Sequence, residues 1–132
     1  MPDGLRQLAL LVVTLVAVGG VPTPAPADQV ADFYRGKTIS VLIGVGAGGE
    51  YDTIARLVAR YIGHYIPGHP SLVPQNMTGA SGLKSMNYLA TLAPHDGTAI
   101  GMISEGLPSL QAVGMAGVQF DAAKFNWLGA IA

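Results

Sequence analysis

Short apolar runs alternate with longer segments of helical periodicity along most of the chain. Residues 38–45 form the clearest run, in which Ile39, Val41, Leu42, Ile43 and Val45 leave few polar positions. A continuous run of this kind is typical of a strand covered on both faces, as in a parallel sheet. Similar patterns predict strands at residues 71–76, 98–103 and 125–130, and helices at about residues 51–65, 83–92 and 108–113.

The predicted elements follow the order strand, helix, strand, helix, strand. This alternation predicts an α/β fold with a parallel sheet and right-handed crossovers. Pro74 lies within the second strand. Because proline cannot donate a hydrogen bond to a neighbouring strand, Pro74 predicts an edge position or an early end for that strand.

The first predicted helix carries apolar side chains at spacings of three and four residues, which predict one buried stripe. Arg56 and Arg60 fall on the opposite face. In the second helix, Met86 and Leu89 are expected to face inward. The stripe of the first helix comprises Ile54, Leu57, Val58, Tyr61, Ile62 and Tyr65.

The first 27 residues have the pattern of a secretory signal peptide. The apolar run from Leu8 to Val18 follows Arg6 and is too short to span a bilayer as a helix, which needs about 20 residues. Ala25 and Ala27 supply the small side chains that a signal peptidase requires. We therefore expect cleavage after Ala27, a mature domain at residues 28–132, and a periplasmic location.

Composition excludes two broad classes of protein. Hydrophobic residues make up 50% of the 132 residues and charged residues only 11%, which excludes a disordered chain. The net charge is −1 and no basic cluster occurs, so the chain offers no positive field for nucleic acid.

The residue types that carry catalysis do not form a recognisable constellation. The chain has no cysteine, which excludes disulfides, thiolate metal sites and a cysteine nucleophile. His64 and His69 lack the spacing of a helical metal pair. Ser104 lacks the first glycine of a nucleophile elbow. We expect no enzyme activity, no metal and no cofactor.

Glycine is concentrated at two predicted strand-to-helix junctions. In an open parallel sheet, ligands bind beyond the carboxyl ends of the strands, where helix N-termini present unpaired amides to anions. Asp52 or Thr53 is expected to cap the first helix, and Ser81 the second. The two junctions comprise Gly46, Ala47, Gly48 and Gly49, and then Gly79, Ala80, Ser81 and Gly82.

A dinucleotide-binding domain of an exported enzyme is the alternative. Gly44, Gly46 and Gly49 satisfy the spacing G-x-G-x-x-G after a strand. Such a site also requires an acidic residue at the end of the second strand, where this chain has Asn76. The pattern alone is a weak signal, and the alternative stays open.

Several separate segments resemble the receptors of tripartite tricarboxylate transporters, also called the Bug family of periplasmic solute-binding proteins. The similarity covers the mature chain from about Asp32 onward, in the order that the family shows. The matching segments are residues 33–39 (FYRGKTI), 46–52 (GAGGEYD), 75–82 (QNMTGASG), 94–98 (PHDGT) and 124–129 (KFNWLG).

The resemblance implies the first domain of a two-domain, type II-like periplasmic binding protein that closes over its ligand. It implies that two loops hold a carboxylate through backbone amides and that membrane permease subunits are the partners. Family ligands are di- and tricarboxylates or aromatic acids. Carried onto this chain, the binding residues are Gly46, Ala47, Gly48, Gly49, Asp52, Asn76, Thr78, Gly79, Ala80, Ser81 and Gly82.

The similarity covers only the N-terminal part of such a receptor. We therefore expect residues 28–132 to be a partial ligand-binding domain whose second domain is missing, and we expect it to be a monomer. A non-functional receptor fragment is a further alternative.

Overall fold

The structure is a computed structural model that describes residues 26–130. The predicted signal peptide lies outside the described residues, except for Pro26 and Ala27 at its end. No helix within the described part of the chain is long and apolar enough to cross a membrane.

Within residues 26–130, four helices and three strands form an α/β fold. The helices are α1 (Pro26–Tyr34), α2 (Glu50–Ile62), α3 (Leu83–Thr91) and α4 (Leu107–Ala112). The strands are β1 (Thr38–Ile43), β2 (Ser71–Asn76) and β3 (Ala99–Met102). Short 3₁₀ turns cover Gly63–Tyr65, Ala80–Gly82 and Ala122–Lys124. The predicted alternation of strands and helices is confirmed.

The three strands are parallel and have the order β2-β1-β3. Thr38 lies opposite Ser71, and Ser40 lies opposite Ala99. β2 is an edge strand of the described sheet, as Pro74 predicts. Because β1 is central, the chain first crosses to one side of it and then to the other.

The central strand is buried on both faces, in agreement with its continuous apolar run. Val41 and Ile43 pack against Ala55 and Ala59 of α2. Leu42 points to the opposite face of the sheet, since successive strand residues alternate, and is 2% exposed. A second core cluster comprises Leu83, Met86, Leu107 and Phe120.

Helix α1 packs at the end of the sheet where the strands begin. Gly68 contacts the carbonyl of Ala31, and the Tyr34 hydroxyl donates a hydrogen bond to the Gly97 carbonyl at 3.2 Å. Gly68 has φ +87°, which glycine adopts without strain. These contacts place α1 at the opposite end of the sheet from the carboxyl ends of the strands.

The predicted buried stripe of α2 is only partly confirmed: Ile54, Val58 and Ile62 are half-buried, but its other three side chains are exposed. Leu57, Tyr61 and Tyr65 are 57%, 53% and 84% exposed, whereas the helix buries Ala55 and Ala59 together with one charged residue, Asp52. Small side chains at the sheet-facing positions allow the helix to approach β1 closely. The rotation of α2 is therefore set by close packing and by Asp52 rather than by the most apolar face.

The predicted strand at residues 125–130 is wrong, because this segment pairs with no strand of the described sheet. Its aromatic side chains pack on one another instead: the ring centroids of Phe125 and Trp127 are 5.8 Å apart, and those of Phe120 and Phe125 are 6.3 Å apart. The Trp127 indole N–H donates to the Ala122 carbonyl at 2.9 Å. The apolar run thus anchors a loop against the second core cluster.

We predict unequal effects on stability at two positions of α2 that lie two residues apart. Ala55→Leu should lower the free energy of unfolding by about 1–3 kcal/mol, because Ala55 is fully buried and extra methylenes overpack the core. Leu57→Ala should change it by less than about 0.5 kcal/mol, because Leu57 is exposed. Urea unfolding of both variants checks this. A larger loss of stability in Leu57→Ala than in Ala55→Leu would instead support the buried stripe that periodicity predicts.

Candidate functional site

The carboxyl ends of the parallel strands bring three loops to one edge of the sheet. We call residues 44–49, between β1 and α2, the first loop, and residues 77–82, between β2 and α3, the second loop. Residues 103–106 join β3 to α4. Because the chain crosses from one side of β1 to the other, this edge contains a topological switch point, where open α/β sheets bind ligands.

The first and second loops are in direct contact. A Cβ atom built on Gly44 would lie 3.2 Å from Gly82 Cα and 2.7 Å from Ser85 Oγ. Ser85 is fully buried, and its hydroxyl donates to the Gly82 carbonyl at 2.8 Å. The close approach of the two loops therefore requires glycine at position 44.

A buried carboxylate joins the first loop to the end of β2. Asp52 is 3% exposed and accepts a hydrogen bond from the Gly48 amide at 2.8 Å. Arg56 Nε lies 3.0 Å and 2.9 Å from the two carboxylate oxygens. Asn76 Nδ2 donates to Asp52 Oδ1 at 2.8 Å and to the Val45 carbonyl at 3.0 Å. One acidic side chain thus links three elements.

The hydrogen bonds of this cluster favour the ionised form of the acid. Those from Arg56, Gly48 and Asn76 hold the pKa of Asp52 well below its usual range. The hydrogen bond with Asp52 raises the pKa of Arg56. Both groups are therefore charged at neutral pH, and their charges cancel locally.

The N-terminus of α2 presents backbone amides at the carboxyl edge. Its N-cap residue, Gly49, has an extended backbone and no side chain that could accept a hydrogen bond from the first amides of the helix. No side chain among residues 26–130 accepts from the amides of Glu50 or Tyr51, and both Gly49 and Glu50 are exposed. Unpaired amides at a helix start carry a partial positive charge that favours anions.

None of the predicted helix caps is observed. Asp52 is not the N-cap of α2: it is the third residue of the helix and accepts from the Gly48 amide, which precedes the N-cap Gly49. Thr53 is not a cap, because its hydroxyl donates to the Gly49 carbonyl at 3.0 Å. Ser81 is not a cap either: the N-cap of α3 is Gly82, whose left-handed backbone differs from the extended backbone that a serine cap requires.

The second loop has a strained backbone. Gly79, Ala80, Ser81 and Gly82 have φ values of +145°, +46°, +51° and +96°. Left-handed conformations are unfavourable for Ala80 and Ser81, and such strain occurs frequently at binding sites. Thr78 to Ser81 are exposed. The loop is therefore held in a shape that its sequence alone does not favour.

A cavity of about 440 Å³ opens beside the second loop and along α3. Ala80 belongs both to the loop and to the wall of this cavity. The wall is largely apolar and also includes Met77, Leu83, Lys84 and Tyr88. Apolar surface therefore lies next to the exposed backbone of the loop.

The structure brings the predicted site residues together in two groups and adds a residue that sequence reasoning missed. Asp52 and Asn76 join the first loop, and Gly82 joins the second loop to Gly44. Arg56, which the periodicity places on the solvent face, is 45% exposed and also belongs to the Asp52 cluster. Its spacing of four residues from Asp52 on a helix was the available signal.

Two other sets of side chains do not converge on this edge. His64 and His69 are exposed beyond the C-terminal end of α2. His95 lies in the turn before β3, where its Nε2 is 3.2 Å from the Leu89 carbonyl. Within residues 26–130, no group of three His, Cys, Asp or Glu side chains could hold a metal ion.

Comparisons with protein-family models, with curated proteins and with solved structures find no significant match to this chain.

We predict that Gly44→Ala lowers the free energy of unfolding by about 1–3 kcal/mol, because the new Cβ would collide with Ser85 Oγ and with the backbone of Gly82. Gly46→Ala is the matched control in the same loop, since nothing lies within 4 Å of a Cβ built there. It should change stability by less than about 0.5 kcal/mol. Equal effects in thermal melts would contradict the close approach of the two loops.

We also predict that the stability advantage of the wild type over Asp52→Asn depends on pH. Because the folded-state pKa of Asp52 is depressed, its contribution is complete above the unfolded pKa of about 3.9 and is lost as the pH falls through the lower folded value. Urea unfolding of both proteins from about pH 7 to about pH 2 measures this. A difference that stays constant or grows in acid would contradict the ion pair.

Proposed function

We propose that the protein is a periplasmic solute-binding receptor that captures a small carboxylate for a tripartite tricarboxylate transporter and performs no chemistry itself. The observation that carries this proposal is the N-terminus of α2, which has no side-chain cap and lies at the same carboxyl edge of the sheet as the strained second loop. The ligand's carboxylate would accept hydrogen bonds from the amides of this edge.

The charge distribution at the edge agrees with recognition by backbone amides. Arg56 and Asp52 neutralise each other, so this pair leaves no net charge beside the first loop, whereas Glu50 at the start of α2 is exposed and adds a negative charge. Lys84 lies next to Gly79 and lines the cavity beside the second loop. Amides, the helix dipole and one lysine are the features that would attract an anion here.

The sequence motifs extend the proposal beyond the described residues. The signal-peptide pattern supports export, and the five motif segments support membership of the receptor family. A second domain would close over the ligand in such a receptor. We propose that residues 28–132 contribute the first of the two domains.

A dinucleotide-binding domain is less well supported. The position that would bind the ribose is Asn76, whose Nδ2 donates to Asp52 and Val45 and whose Oδ1 accepts from Arg56. Gly44, the first glycine of the motif, faces the buried Ser85 and Gly82 rather than an open crevice. Stabilisation of the protein by a nicotinamide dinucleotide would favour this alternative.

We predict that at least one of benzoate, succinate and citrate raises the melting temperature of the purified protein. A ligand at roughly a hundredfold its dissociation constant adds about 2.7 kcal/mol to the stability of a folded protein. Benzamide and succinamide are the matched controls, because they keep the carbon skeleton but lack the carboxylate. Acids and amides that leave the melt unchanged, or that shift it equally, would refute recognition of a carboxylate.

A pair of variants at Glu50 tests whether the amides of α2 make the contact. Glu50→Pro deletes one amide at a helix position where proline is tolerated, and the preceding Gly49 is already extended. It should weaken binding by about tenfold. Glu50→Ala keeps the amide and removes a negative charge, so it should preserve or tighten binding. Equal affinities in the two variants would show that the ligand does not bind the amide of residue 50.

A further inference from the structure

Asp52 has no hydrogen-bonding capacity left for a ligand. Its Oδ1 accepts from Arg56 and Asn76, and its Oδ2 accepts from Arg56 and the Gly48 amide. The side chain is also buried beneath these partners. A ligand could reach this carboxylate only by displacing one of them, which would leave a buried charge poorly paired.

Asn76 is equally committed to internal contacts. Its Oδ1 accepts from Arg56 Nη2 at 2.7 Å, and its Nδ2 donates to both Asp52 and the Val45 carbonyl. The amide oxygen and both amide hydrogens therefore have partners within the protein. Asn76 fixes the end of β2 to the first loop rather than presenting a free group at the edge.

The cluster holds the first loop at two points. Asn76 binds the carbonyl of Val45, and Asp52 binds the amide of Gly48. Gly46 and Ala47 lie between these points and are exposed. Nothing lies within 4 Å of a Cβ atom built on Gly46. A glycine-rich segment has high conformational entropy, so two fixed points are needed to give it one shape.

We propose that Asp52, Arg56 and Asn76 act together as positioning residues that fix the first loop for anion binding, and that none of them contacts the ligand. The proposal rests on the proposed function in that the ligand is a carboxylate. It changes the role of Asp52 and Asn76 from the direct contacts that the family resemblance implies. It also gives a role to Arg56, whose fork of donors matches two acceptors at once.

The competing role for Arg56 is a direct ion pair with the ligand. Its side chain is 45% exposed, so a ligand could reach it. The two roles differ in how binding depends on ligand charge. A direct ion pair strengthens with each further negative charge on the ligand and weakens with salt. A positioning role affects only the binding of the carboxylate that the first loop holds. The loss of affinity then does not depend on the other charges of the ligand.

The first test needs no ligand. Hydrogen exchange of the Gly48 amide is measured by NMR in the wild type, Asp52→Asn, Arg56→Lys and Arg60→Lys. Arg60→Lys is the matched control, because Arg60 lies one turn further along α2 and is exposed. We expect exchange to rise by about tenfold in Asp52→Asn and Arg56→Lys, with no change in Arg60→Lys. Unchanged exchange of Gly48 in both cluster variants would overturn the proposal.

The second test measures the affinities of the same proteins for benzoate, succinate and citrate by calorimetry. We expect Arg56→Lys to weaken binding by about tenfold, and by the same factor for every acid that binds. A loss that grows from benzoate to citrate would overturn the proposal in favour of a direct ion pair. Spectra that show the rest of the fold intact separate positioning from unfolding.

The two proposals fail separately. A wild-type protein that binds none of the three acids refutes the proposed function, and the positioning role is then judged by the exchange of the Gly48 amide. As a further signature, the Gly48 amide chemical shift should titrate with Asp52 in acid and should lose that titration in Asp52→Asn. A shift that titrates identically in both proteins would contradict the contact.

Discussion

The ion pair between Asp52 and Arg56 is the interaction on which the arrangement of the carboxyl edge depends. A buried carboxylate is tolerated only when it is paired and fully hydrogen-bonded, and here every partner comes from a different place: the helix itself, the first loop and the end of β2. The pair itself forms within α2, but completing the hydrogen bonds of Asp52 requires α2, the first loop and β2 to adopt their final positions together. Stability and the shape of the candidate site are coupled through one side chain.

This coupling explains why hydrophobic periodicity predicted the existence of α2 but not its orientation. The three strands and the helices α2, α3 and α4 follow from local patterns, whereas α1 was not predicted, and the buried run of β1 identified the centre of the sheet. The rotation of α2 is a tertiary property, in which a charged residue and two alanines outweigh Leu57, Tyr61 and Tyr65. The aromatic run at residues 125–130 failed as a strand prediction for a similar reason, because its side chains found partners within the second core cluster.

The candidate site was predictable to a comparable degree. Glycine at two strand-to-helix junctions indicated both loops, since parallel strands end at one edge. Arg56 was missed because a charged residue on a helix usually faces solvent, and only its spacing from Asp52 suggested otherwise. The left-handed backbone at Ala80 and Ser81 could not be predicted, because both residue types disfavour that conformation and tertiary contacts impose it. Specific residue pairs, rather than composition, give this edge its geometry.

The central position of β1 has a consequence for the folding kinetics. In the described sheet, neighbouring strands are far apart in the sequence and are not joined by short turns. Thr38 pairs with Ser71 and Ser40 pairs with Ala99, and at least one helix lies between the two residues of each pair. Sheets built from such distant pairings acquire their structure slowly, because loop closure precedes any gain from contact. Under the export proposed above, slow folding would keep the polypeptide unfolded, as translocation requires, until it has crossed the membrane.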